Sequence, residues 1–404
     1  VSPAAPPPTP PTHWPAVAAA VLLGVAAAMN VGKVPLALGA LRTEFGLTLV
    51  QAGWVSSMLT TLAVVAALGI GLLAGRVGAL RMALAGLGAG ALASLAALGA
   101  GGFEGLVASR FVEGAGFMAA SVAGPALVSA AAAPADRRFA LGIWSAYMPA
   151  GAGLAMALSP WLLGLGGWRA LWLASAAALL GAAALLWRQR AHYAPAGGST
   201  HAAPAAPALA VLRQPLPWLL ALAFGTWALQ HFALIVWLPT FLREQRGLAP
   251  GPVAALSAAM LLANVPGNLL GGWLVQRGVA RGRLIAGAQL LTGLCGLGFF
   301  SDALGDGLRY ALCVALSFVG GLIPAAVMSS STVLARSPQQ VSALQGLVMQ
   351  GSQLGQFIGT PLIAAVVAAS GQWGSARWVT AGAATLGLAL GLLAWRLEKR
   401  LASA

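Results

Sequence analysis

Apolar residues run through this chain in long unbroken stretches, separated by short segments that carry nearly all the Arg, Lys, Asp and Glu. Neither the alternation of a half-buried strand nor a single apolar stripe of a soluble helix is present, because the stretches are apolar on every side. About 20 helical residues cross the roughly 30 Å hydrocarbon core of a bilayer, and a spanning helix satisfies its own backbone hydrogen bonds. The pattern predicts twelve spans: 16–41, 49–74, 80–100, 104–130, 139–165, 168–188, 216–241, 252–275, 284–301, 308–333, 340–369 and 376–396. The fold class expected is all-α, a membrane protein of twelve transmembrane helices in two pseudo-symmetric six-helix bundles.

The two bundles follow from a repeat with an offset of 201 residues. Leu41-Arg42-Thr43-Glu44-Phe45-Gly46-Leu47 returns as Leu242-Arg243-Glu244-Gln245-Arg246-Gly247-Leu248. Gly71 and Arg76 return as Gly272 and Arg277, and Ser159-Pro160 as Thr360-Pro361. Internal duplication of helical membrane sequence is the layout of proteins that alternate access around a site between their halves.

Charged residues make up only 7% of the 404 and hydrophobic residues 59%, which excludes an ordinary soluble domain. The net charge of +14 raises the question of a nucleic-acid partner, and its distribution answers it. With the N-terminus placed inside, fourteen of the 22 Lys and Arg fall in inner loops and tails, against six outside. That bias orients a membrane protein, with both termini cytoplasmic and the plasma (inner) membrane as the expected location. No nucleic acid is expected; the partners are the lipid bilayer and a small-molecule substrate, and the chain is expected to function as a monomer.

The Pro-rich residues 1–13 are expected to be a disordered tail, and the lack of a basic segment before the first apolar stretch argues against a cleaved signal peptide. Residues 14–188 form the first bundle, 189–215 (rich in Ala, Pro and Gly) a cytoplasmic linker, 216–397 the second bundle and 398–404 a cytoplasmic tail. Cys295 and Cys313 fall in apolar spans and are expected to pack as small hydrophobes.

Polar groups inside spans are costly and mark candidate sites. Lys33, Arg110, Glu113 and His231 are the ionisable ones. Lys33 lies eight residues before Leu41, about 12 Å from the helix end at 1.5 Å per residue, a long reach for snorkelling. His231 occupies the repeat position of Asn30, so the two are candidates to face one another across the pseudo-symmetry, with a packing histidine as the alternative. Arg110 and Glu113, spaced i, i+3, form either a structural pair or an anion-binding Arg beside a proton-exchanging Glu. Gln350, Gln353 and Gln356 share one helix side, opposite a ridge of Gly351, Gly355 and Gly359 suited to close helix approach. Asn264 and Asn268, and the aromatics Trp54, Trp144, Tyr147 and Trp227, are further candidates for substrate contact or for packing. Pro149, Pro160 and Pro361 are expected to bend their helices.

The loop after the second span reads Gly71-Leu-Leu-Ala-Gly75-Arg76-Val-Gly78-Ala-Leu-Arg81, and its repeat Gly272-Trp-Leu-Val-Gln276-Arg277-Gly278. The fourth span opens with Arg110-Phe-Val-Glu113-Gly114-Ala-Gly116, and Gly167-Trp168-Arg169 closes the fifth. Together these resemble the motifs of the major facilitator superfamily, over essentially the whole chain; the polar motifs are also similar to those of its cyanate permease branch. The superfamily's loop Asp is replaced by Gly75 and Gln276, so the inner gate needs another latch. The resemblance implies two rocking bundles with the first, fourth, seventh and tenth spans around a central site. It implies secondary transport of a small solute without cofactor or metal, by proton coupling or exchange. Substrate contacts are then assigned to Asn30, Lys33, Arg110, Tyr147, Trp227, His231, Gln350 and Gln353. Proton coupling falls to Glu113 and His231, and gating to Arg76, Arg81, Arg277, Gly351, Gly355 and Gly359. Two cations in the membrane favour an anion as substrate; efflux of drugs or other hydrophobic compounds is the alternative, and a transport-like receptor the alternative of another class. An enzyme is not expected, since no His-Glu-x-x-His or Gly-x-Ser-x-Gly motif occurs in the spans and no nucleotide-binding loop is present.

Overall fold

In a computed structural model, which describes residues 11–65, 77–193, 208–330, 334 and 338–403, the chain is helical nearly throughout. Ten helices among the described residues are long and apolar enough to cross a membrane. One of them, Tyr147–Arg188, holds two spans, since its backbone leaves the helical region at Gly166 and Gly167. Gly167 has φ 61 and ψ −156, a conformation open essentially to glycine alone, and the chain reverses there. The shorter Leu49–Val65 is the described part of the second span, which completes the twelve.

The 201-residue offset survives in the backbone. The first span is Trp14–Phe45 and the seventh Pro215–Arg246, each of 32 residues. Both end on a left-handed glycine, Gly46 and Gly247, each with φ 63, whose N–H caps the last helical turn. The third span is Ala79–Ala96 and the fourth Phe103–Ala131; the fifth begins as Arg137–Ser145 before Tyr147. In the second half the eighth span is Pro250–Leu262 continued by Asn264–Gln276, and the ninth is Arg281–Phe299. The tenth is Asp306–Gly320 continued by Leu322–Met328. The eleventh and twelfth are Pro338–Ser370 and Ala376–Ser403.

The ends of the described chain carry further structure. The twelfth helix continues to Ser403 instead of ending near 397, because Leu397 and Leu401 carry its apolar side onward between the charges. Residues 11–13 are not loose: Thr12 donates to Asp136 (2.6 Å) and the His13 N–H to the Ala131 carbonyl (3.0 Å). In the linker, Arg190–Tyr193 and Ala208–Arg213 form short 3-10 turns, and the Tyr193 hydroxyl donates to the Ala16 carbonyl at 2.7 Å. These contacts define the terminal end of the bundle; the turns at Gly46, Gly167 and Gly247 define the far end.

Small residues let the helices approach closely. A β-carbon at Gly114 would strike the Leu59 backbone of the second span, and one at Gly116 the Gly86 and Gly90 backbone of the third. The Gly351, Gly355 and Gly359 ridge lies against Ala221, Gly225 and Leu229 of the seventh span, so it is a packing surface within the second half. Cys295 and Cys313 are free thiols.

Candidate functional site

The four intramembrane charges divide between the halves, and three of them meet. Lys33, Glu113 and Arg110 are 0%, 0% and 1% exposed. Lys33 Nζ lies 2.7 Å from Glu113 Oε1, while the Arg110 guanidinium binds the other carboxylate oxygen. Lys33 also donates to Asn30 Oδ1 (2.7 Å) and Ser94 Oγ (3.1 Å), and its ammonium sits 4.5 Å over the Trp172 ring. An ammonium has three donors, and all three are spent here. Ser94 donates to Glu113 Oε1 at 2.5 Å, and Arg110 Nε to the Val55 carbonyl at 3.2 Å. The cluster thus ties the first span to the third, fourth and sixth, with a thread to the second.

The structure gives each of these candidates its neighbours. Lys33 does not look out toward a second bundle; it is directed into the first bundle's own interior, because its stem is long enough to reach the only carboxylate nearby. Asn30 is 1% exposed and serves as acceptor for Lys33, so it does not face His231. His231 lies within the second half, with Nε2 2.9 Å from Ser317 Oγ and its ring stacked on Trp227 at 4.5 Å. Asn264 donates to the Ser317 carbonyl (2.8 Å) and Asn268 to Asn264 Oδ1 (2.7 Å), so this amide run bonds the eighth span to the tenth. Trp227 is 2% exposed and lies against Gly320, so it packs between the seventh and tenth spans in this structure. Trp144 is likewise wedged against Gly24 and Gly124, and Tyr147 stacks on it at 4.5 Å with its hydroxyl 3.2 Å from Ser121.

The halves meet along other residues. Arg42 binds Glu244 across the far end at 2.8 Å, and Arg243 reaches back over Gly39. Arg42 and Arg243 are repeat partners, so each half extends one arginine onto the other. Deeper in, Gly53 lies against Pro361, Trp54 meets Phe357 edge-on at 5.2 Å, and Ser57 donates to the Gln356 carbonyl at 3.4 Å. Deeper still, Gln350 Nε2 donates to the Val64 carbonyl at 3.2 Å. Gln353, 3% exposed, has an Oε1 without a hydrogen-bond partner among the described residues. The second and eleventh spans therefore form one seam; Gly153 beside Leu262 marks another, between the fifth and eighth. Of the arginines assigned to gating, Arg76 lies outside the described residues, Arg81 is exposed, and Arg277 stands over Trp273 at 4.7 Å.

Sequence reasoning missed the partners more than the charges. Ser94 and Trp172 complete the first-half cluster. In the second half, Gln289 donates to Thr226 Oγ1 (2.9 Å) and accepts from Gln230 (3.3 Å), joining the ninth span to the seventh. A glutamine in an apolar stretch was the available signal. The cavity next to Gln230, among Trp237, Phe241 and Trp373, is about 20 Å³, the size of a water and too small for a solute.

Comparison with known proteins agrees with this architecture. The family model described as Major Facilitator Superfamily matches residues 20–343. No curated protein matches the chain. Among solved structures it is similar to a bacterial homolog of the human lysosomal transporter Spinster in an inward-facing, unoccupied conformation. That likeness has a TM-score of 0.79 at 16% identity, covering 94% of this chain and 96% of that one. The same homolog in an inward-facing, occupied conformation gives a TM-score of 0.77 at 16% identity, covering 96% and 98%. A duplicated twelve-helix membrane fold, motif glycines seated at helix crossings and a family match over most of its length place this chain in the major facilitator superfamily.

Proposed function

We propose that this secondary transporter carries an apolar or amphipathic compound between its halves by alternating access, coupled to protons. The observation that carries the reading is the saturation of Lys33. With its three donors bound to Asn30, Ser94 and Glu113, Lys33 has none left for an anionic solute, and the charge of Arg110 is paired with Glu113. The surface where the halves meet offers aromatic rings and amides instead, Trp54 with Phe357 and Gln350 with Gln353.

Charge balance supports the coupling. Two cations around one carboxylate leave the buried cluster with a net charge of +1. Arg110 keeps its proton under all ordinary conditions, and protonating Glu113 would leave two uncompensated cations. Loss of a proton from Lys33 leaves a balanced Arg110–Glu113 pair and weakens the tie of the first span to the third and fourth. Lys33 is therefore the proton carrier of the cluster and Glu113 its fixed counter-charge; His231, bonded to Ser317, is the second titratable group. Both termini face the cytoplasm of a plasma membrane, a reading supported by the fourteen-to-six bias of basic residues, and one chain contains the whole pathway.

A second reading, transport of a small anion, is favoured by the far-end vestibule. It encloses about 910 Å³, and its lining includes Arg42 and Arg243, each with an Nε that has no hydrogen-bond partner among the described residues. Purified protein in proteoliposomes separates the two. An imposed pH gradient should drive movement of fluorescent apolar compounds, and Lys33→Met should abolish the pH dependence while sparing counterflow. Counterflow of small carboxylates, unaffected by apolar compounds, would replace the first reading by the second.

A further inference from the structure

At the terminal end of the second half, the seventh, ninth, tenth and twelfth spans surround a cavity of about 690 Å³. It is confined to one half, away from the seams between the second and eleventh and the fifth and eighth spans, so it is not on the solute's path. Its walls are of two kinds. Leu216 and Leu220, both buried, and Trp395 make an apolar side, and Arg281, Lys399 and Arg400 a cationic rim, of which Arg281 and Lys399 have a fixed position.

Both are held in place. Arg281 Nε donates to Ser329 Oγ at 3.2 Å, which uses one of five guanidinium donors. Lys399 Nζ stands 4.3 Å from the centre of the Trp395 ring. The acidic neighbour, Glu398, is occupied: its Oε2 accepts the Gly282 N–H at 3.0 Å, at the start of the ninth helix. Its charge is spent on a helix N-terminus, where a carboxylate is favoured, and the rim keeps a positive balance.

We propose that this cavity binds an anionic phospholipid, its phosphate on Arg281 and Lys399 and the start of an acyl chain along Leu216, Leu220 and Trp395. A soluble anion would use the rim and leave the apolar wall wet; a neutral lipid would use the wall and leave the rim unpaired. An anionic lipid satisfies both. The depth agrees as well, since the cavity opens where spans end and headgroups lie, beside a tryptophan of the kind that concentrates there. Bound lipid would join the starts of the seventh and ninth helices to the end of the twelfth.

The test is native mass spectrometry of the full purified chain titrated with phosphatidylglycerol, phosphatidylcholine or glycerol 3-phosphate. Phosphatidylglycerol should be retained in clear excess over phosphatidylcholine, and glycerol 3-phosphate should not displace it. Arg281→Gln and Lys399→Gln should each lower retention about fivefold, the effect of one basic residue at a membrane surface, and the double variant more. Arg396→Gln, an exposed cation on the same helix outside the cavity, should change nothing. Equal retention of the two lipids by wild type overturns the proposal whatever the variants do. Unchanged retention in the double variant overturns it too, and displacement by glycerol 3-phosphate would mean a soluble anion site. The outcome is independent of which solute is transported.

Discussion

Glu113→Gln should be the most damaging single change in the first half, and the reason is electrostatic. The carboxylate accepts from Lys33 at 2.7 Å, from Ser94 at 2.5 Å and from Arg110, with all three ionised groups nearly or fully buried. An amide of the same shape keeps the packing and leaves two cations facing a neutral group. Breaking a buried pair by removing one partner costs about 3–5 kcal/mol, and here one carboxylate serves two partners. Lys33→Met removes the surplus cation instead. It gives up hydrogen bonds to Asn30 and Ser94 and the contact with Trp172, yet leaves Arg110 and Glu113 balanced, so the cost should stay below about 2 kcal/mol. Arg110→Gln falls between, because Glu113 retains Lys33. Adding Lys33→Met to Glu113→Gln strands one cation in place of two, so the double variant should be more stable than Glu113→Gln alone. Unfolding in mixed detergent followed by circular dichroism measures all four. A Glu113→Gln protein within 1 kcal/mol of wild type, or a double variant no better than the single, would refute this electrostatic account.

Other expectations are more local. Gly355→Leu places a side chain on the Gly225 carbonyl and should lower the unfolding temperature in detergent, by the roughly 1–3 kcal/mol of an overpacked contact, and abolish transport. Arg42→Ala should change overall stability by less than about 1 kcal/mol, since the pair with Glu244 is 30% and 42% exposed. It should nevertheless lengthen spin-label distances across the far end, and reversing both charges should restore them. Gly167→Ala has open space for its methyl but the wrong backbone geometry, and should cost about 1–3 kcal/mol by thermal unfolding. Cysteines introduced at Ser199 and Ala402 should react only with reagents that reach the cytoplasm; labelling from outside intact cells would invert the topology.

The spans, their number and the duplication were legible because they depend on local quantities. Apolar length decides whether a helix crosses, and Gly46 and Gly247 end two helices of identical length at the predicted offset. The reversal at Gly166 and Gly167 falls between the predicted ends of the fifth and sixth spans, 165 and 168. The site was legible in a weaker sense. Lys33, Arg110, Glu113 and Asn30 were identified as the polar groups of interest, yet the relation between Lys33 and Glu113, 80 positions apart, was not. Nothing in the spacing of two residues on different helices says which way each helix is turned. The first-half cluster needed the rotation of four helices at once, and Ser94 and Trp172 entered it only through that rotation.

What the sequence determined by itself is the solvent this protein lives in, the number of times it crosses it, and its twofold internal plan. Those follow from the free energy of burying apolar length, which is additive along the chain. The tertiary structure alone decided which charges cancel. A cation inside a membrane reads, residue by residue, as a binding group; packed 2.7 Å from a carboxylate with every donor used, Lys33 is part of a closed circuit. Electrostatic energy depends on separation and direction in three dimensions, and these are set by helix packing and not by order along the chain.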